Sequence, residues 1–90
     1  MNLPDRMIHQ SVRYVLGRRS YAVGECCDWL VLNWDKMPED ERSIVRCDVE
    51  EAFARQARWR GGTQTQCAPL GMDMDVRKWK RVRALWHGGE

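Results

Sequence analysis

Three features of the chain predict an all-α fold, a compact bundle of about four helices with one irregular loop before the last. Apolar residues recur at the helical 3.6 spacing in four separate segments. Turn-forming residues separate those segments at Gly17, Pro38, Gly61 to Gly71, and Gly88 with Gly89. Residues suited to helix starts stand at the expected beginnings: Asn2 with Pro4 and Asp5, Ser20, the run Glu39 to Glu41, and Asp73 or Asp75. Residues 1–90 are read as a single helical domain.

The first helix is expected from Asn2 to about Leu16. Ile8, Val12 and Val15 form its inner stripe with Ser11 alongside, Gln10 and Arg13 face water, and Gly17 supplies a left-handed stop. Arg18 and Arg19 make a short turn and Ser20 caps the next helix, a connection that favours antiparallel neighbours.

The central helix, SYAVGECCDWLVLNW, holds the densest apolar run. Val23, Cys27, Leu30 and Trp34 fall on one line with Ala22 and Cys26 beside it, and Glu25 and Asp28 mark the outer face. Leu32 departs from this order because it projects near those two acids, which makes it a candidate contact residue. Gly24 inside a helix costs about 1 kcal/mol relative to Ala and points to close helix packing there.

A third helix is expected from Pro38 to about Arg58. Its inner line is Val45, Val49, Ala52 and Phe53, with Ile44 to one side, and Glu51 and Arg55 are placed for an i to i+4 pair. Trp59 lies where this helix frays. The segment Gly61 to Gly71 reads as an irregular loop of the kind that is more often mobile or functional than structural. The final helix, DVRKWKRVRALWH, has the apolar line Val76, Trp79, Val82 and Trp86. Arg77, Lys80 and Arg81 lie opposite that line, with Lys78 and Arg83 flanking them.

Ninety residues, 43% hydrophobic and 31% charged, fit one small core, and self-association as a homodimer would supplement it. No run approaches the roughly 18 apolar residues of a membrane span, and MNLPDRMIHQ lacks the order of a signal peptide, so a cytoplasmic location is expected. Cys26, Cys27, Cys47 and Cys67 include no C-x-x-C pair, and His9 and His87 stand at opposite ends of the chain. Reduced thiols are therefore expected, with no metal and no cofactor.

No catalytic pattern emerges. Asp48, Glu50 and Glu51 point in three directions on a helix, Cys26 or Cys47 would meet His9 only if folding joined them, and Gly61 and Gly62 lack the strand and lysine of a phosphate loop. Charge is uneven: net +1 over residues 1–34, −2 over 35–58 and +3 over 59–90. The basic last helix is either a docking face for an acidic protein or phosphate, or a solvated face partly neutralised by the acidic third helix.

The residues H-x-x-V-R-Y-x-L-G-R-R-S-Y-A-V (His9 to Val23), D-W-L (Asp28 to Leu30), N-W (Asn33, Trp34), D-V-E-E-A-F (Asp48 to Phe53) and L-G-x-D-x-D-x-x-x-W-x-R-V-R-x-L-W (Leu70 to Trp86) resemble a pattern shared by small proteins encoded in phages and prophages of bacteria. The resemblance covers most of the chain. It implies an accessory protein acting in the host-cell cytoplasm that binds and blocks or modulates a bacterial protein complex, such as a defence nuclease or a CRISPR complex, without turnover. Partner-binding candidates are Leu32, Arg77, Lys78, Lys80 and Arg81. The alternative is a small nucleic-acid-binding or transcription-regulating protein using the basic last helix, although readers of nucleic acid usually carry a larger positive excess.

Overall fold

The computed structural model describes residues 12–17, 20–59, 68–71 and 73–88, and the described chain is helical with no strand. Residues 12–15 form the helical stretch α1, followed by α2 (Ser20–Asn33), a single 3-10 turn (Trp34–Lys36), α3 (Glu39–Arg58) and α4 (Asp73–His87). The chain thus builds the expected all-α bundle of about four helices. The expected cap at Asn2, the stripe residues Ile8 and Ser11, the turn residues Arg18 and Arg19, and the loop from Gly61 to Cys67 lie outside the described residues.

In α1, Val12 and Val15 are buried while Arg13 and Tyr14 are exposed, as the stripe requires. The Leu16 N–H donates to the Val12 carbonyl at 3.0 Å, and Gly17 ends the turn at φ +79°. A left-handed residue carries no Cβ penalty when it is glycine, which is why the stop falls there.

The α2 stripe is the centre of the core. Val23, Cys27 and Leu30 are buried, and Trp34 continues their line although the α-helix ends at Asn33 and tightens into the 3-10 turn. Two side chains shape that end. Asn33 Nδ2 donates to the Trp29 carbonyl at 2.8 Å, and Arg42 Nε donates to the Trp34 carbonyl at 2.8 Å while its guanidinium lies 5.7 Å from the Trp34 ring centroid. Ser20 is itself the first residue of α2 rather than its cap.

Pro38 occupies the cap position of α3 with an extended backbone, so the helix begins at Glu39. Glu39, Asp40 and Glu41 fill its first turn, where their charge favours the unpaired amides. Val45, Val49 and Ala52 are buried and Phe53 packs against the same core, but Glu51 and Arg55 form no ion pair with each other.

Two expectations at the start of α4 are corrected. Asp73 and Asp75 lie inside the first turn rather than capping it, and Asp75 is only 1% exposed. The end of the preceding loop is also structural: Leu70 is fully buried, its N–H donates to Gln56 Oε1 at 3.2 Å, and Gly71 donates to the Ala68 carbonyl at 3.0 Å. Gly71 has φ +83°, and a Cβ there would stand 2.6 Å from Asp75 Oδ2.

Cross-helix contacts set the directions. Gly24 lies beside Lys78, Asp28 beside Arg81, and Trp34 beside Trp86 with ring centroids 5.4 Å apart, so α2 and α4 run parallel. Glu50 meets Arg83, Trp86 and His87 while Gln56 meets Leu70, so α3 runs antiparallel to α4. Trp79 and Val82 complete the core between these helices. The Trp79 indole nitrogen is buried without an acceptor among the described residues, an arrangement that costs roughly 1–3 kcal/mol and is tolerated for the ring's apolar area.

Gly24 and Gly71 should respond in opposite directions to alanine. At Gly24 the nearest atom to an added Cβ is the flexible end of Lys78, 3.1 Å away, so Gly24→Ala should stabilise the fold by up to about 1 kcal/mol through helix propensity. At Gly71 both the positive φ and the buried Asp75 oppose a side chain, so Gly71→Ala should destabilise it by about 1–3 kcal/mol. Thermal melts of the two variants check this, and equal midpoints would contradict the assignment.

Candidate functional site

Because α2 and α4 are parallel neighbours, their outward sides form one continuous face. Leu32 stands on it at 77% exposure, one turn beyond Asp28, where the helical count places it. Arg77, Lys80 and Arg81 are exposed on α4. Arg81 approaches Asp28 of α2 at 3.9 Å, a pair with both side chains about two-thirds exposed and so of little energetic weight. Arg77 and Lys80 make no ion pair among the described residues. Lys78 is half-buried, and its ammonium lies over Gly24, where the missing side chain leaves room for the lysine stem to cross the seam. Met74, 62% exposed at the start of α4, adds an apolar residue that the apolar-line count did not single out.

Arg83, a flank of the basic run in sequence, belongs elsewhere. Its Nε donates to Glu50 Oε1 at 2.9 Å and its guanidinium lies 4.7 Å from the Phe53 ring centroid. Trp86 Nε1 donates to the same oxygen at 2.9 Å, and His87 Nε2 lies 2.7 Å from it. A carboxylate only accepts, so the His87 Nε2 carries hydrogen toward Glu50, and the 3.2 Å approach of Arg83 Nε to that nitrogen is proximity rather than a second bond. Partial burial works to raise the Glu50 pKa, but the hydrogen bonds from Arg83, His87 and Trp86 outweigh it and hold the carboxyl at about 2. This cluster ties α3 to α4. It neutralises Arg83, so the acidic third helix neutralises the basic run in part, while Arg81 is left to Asp28 of α2.

Burial pushes the Cys26 thiol up to about 12, and burial, aided by Cys26 and Asp28, does the same to Cys27 against the opposing pull of Lys78 and Arg81. Neither forms a thiolate near neutral pH, which a nucleophile or a metal ligand requires. Cys47 is exposed on α3, and His9 lies outside the described residues. No group of three or more metal-ligating side chains occurs among the described residues.

A groove of about 760 Å³ runs between α1, α3 and the 68–71 turn, lined by Arg13, Leu16, Gly17, Asp48, Glu51, Arg55, Ala68 and Pro69. Arg13 donates to Asp48 Oδ1 at 3.3 Å across it, whereas Asp48 Oδ2 is buried with no hydrogen-bond partner among the described residues. Asp48 is half-buried here while Glu51 is exposed, and the approach of α1 and of the 68–71 turn to this side of α3 is invisible in helical spacing. Among the described residues no helix is long and apolar enough to cross a membrane. Comparison with protein-family models, with curated proteins and with solved structures finds no match.

The Glu50 cluster makes stability depend on acid pH. The folded pKa of about 2 lies below the ordinary 4.5, so the contribution is present above about 4.5 and is lost as pH falls toward 2. After screening of a partly exposed carboxylate it should amount to on the order of 1 kcal/mol. Denaturant titrations of wild type and Glu50→Gln should differ at neutral pH and converge through that window; a gap that persists at pH 2 would contradict the assignment.

Thiol reactivity should follow the same geometry. Under native reducing conditions an alkylating reagent should modify Cys47 far faster than Cys26 or Cys27, which should react only on unfolding, as peptide mass mapping reads directly. Modification of Cys26 at the rate of Cys47 would contradict its burial.

Proposed function

We propose that this chain is a small interaction protein that binds a bacterial host protein or complex and blocks or modulates it, with no turnover and no cofactor of its own. The observation that carries this reading is the outer face of α2 and α4, where Leu32 stands exposed on α2 and Arg77 and Lys80 stand exposed on α4, neither base ion-paired among the described residues. Interfaces favour apolar and arginine anchors on rigid elements, and both helices are fixed from behind by the core.

The phage side of the proposal, action in the host cytoplasm against a defence nuclease or a CRISPR complex, is supported by the sequence pattern from His9 to Trp86. Leu32, Arg77, Lys78, Lys80 and Arg81 are the residues proposed to meet the partner, with Lys78 contributing its ammonium from the seam.

Tagged protein should recover a bacterial protein complex from lysate, and the recovery should survive nuclease treatment. Arg77→Glu with Arg81→Glu should leave the helical signal intact and weaken recovery, more at low salt than at high, because exposed charges act over about a Debye length. Recovery of nucleic acid alone, lost on digestion, would overturn the proposal in favour of a nucleic-acid binder.

A further inference from the structure

We infer that the outer face of α2 and α4 also closes on a second copy of this chain, about a two-fold axis running along the seam between the two helices. The face is self-complementary in charge. α2 presents Glu25 and Asp28 and α4 presents Arg77, Lys80 and Arg81, all exposed. The contacts of Lys78 with Gly24 and of Arg81 with Asp28 show that the acids of one helix are level with the bases of the other.

A two-fold axis along the seam preserves that level and exchanges the sides. It lays α2 of one copy over α4 of the other, so the acid row meets the base row twice, as an isologous contact demands. A two-fold across the helices would instead set α4 on α4, bases against bases, which electrostatics disfavours. Leu32 gains a place in the same arrangement. One turn beyond Asp28 it is level with Leu85, one turn beyond Arg81, so its exposed side chain faces the half-buried Leu85 of the other copy. Cys47 on α3 takes no part.

Exposed charge pairs are individually weak, and a face two helices wide and about three turns long lies near the low end of interfaces that bury roughly 800 Å² per partner. The dimer is therefore a micromolar one that loosens as salt rises. It does not depend on the proposed host partner, because it is read from purified protein. Glu25 and Asp28 do not balance the three exposed bases, so positive charge remains on the dimer for an acidic third molecule.

Sedimentation of the full chain, with thiols kept reduced so that Cys47 cannot crosslink, tests the inference. Wild type should pass from monomer to dimer in the micromolar range, and high salt should favour the monomer. Glu25→Lys with Asp28→Lys should weaken the dimer at least about tenfold, as should Lys80→Glu with Arg81→Glu, because each reversal acts twice. An equimolar mixture of the two reversed proteins should recover a heterodimer, since its acid and base rows are again opposed. A wild type that stays monomeric, reversed variants that dimerise as well as wild type, or a mixture that fails to pair would each overturn the inference. Should either variant lose its helical signal, the salt dependence of wild type decides: a dimer indifferent to salt overturns it as well.

Discussion

The rest of the structure depends on the burial of the α2 stripe against a parallel α4. Val23, Cys27 and Leu30 meet a surface made by Trp79 and Val82, and Trp34 carries the contact on to Trp86. Parallel helices cannot be joined by a tight turn, so the chain must travel back the length of α2 before α4 can start. The 20 residues of α3 do this: at 1.5 Å per residue they span about 30 Å against about 21 Å for the 14 residues of α2. The return helix is thereby the layer beneath both, and its Val45, Val49 and Ala52 close the core from below. Because α3 outruns α2, the chain needs the long connection after Trp59, and burying Leu70 anchors its far end.

The same arrangement sorts the charges. α3 carries six acids and pairs three of them on its own sides: Glu39 with Arg46, Asp48 with Arg13, and Glu50 with Arg83. Arg42 is spent on the Trp34 carbonyl and ring, where it holds the turn between α2 and α3. The bases on the far side of α4 are out of reach of these acids, and among the described residues the acid they meet is Asp28, which pairs with Arg81 across the seam. An outer face with surplus positive charge is a consequence of which helix ended up between which, and the proposed interaction role draws on that surplus.

The proposed interaction face and the core use different parts of the same two helices. Trp79 and Val82 are committed to the core, whereas Arg77, Lys80 and Arg81, interleaved with them, are free of it. Surface charge can therefore change with little effect on packing. Lys78 is the exception, since its stem fills the space left by Gly24.

Helical periodicity is a local property, and it determined what is local here: the four helical segments, the buried lines Val23–Cys27–Leu30–Trp34 and Val45–Val49–Ala52, the stop at Gly17, and the exposure of Leu32. The outward position of two of the named bases, Arg77 and Lys80, was also legible. Tertiary structure decided the rest. Arg81 and Arg83 stand two residues apart in one basic run, yet 200° of helical rotation sends one to the outer seam and the other to Glu50 and Phe53. Which of those sides would be covered depended on where α3 lay, and no spacing within α4 encodes the position of another helix. The parallel direction of α2 and α4, the burial of Leu70 and Asp75, and the groove between Arg13 and Arg55 have the same origin: each is set by contacts between residues distant in sequence.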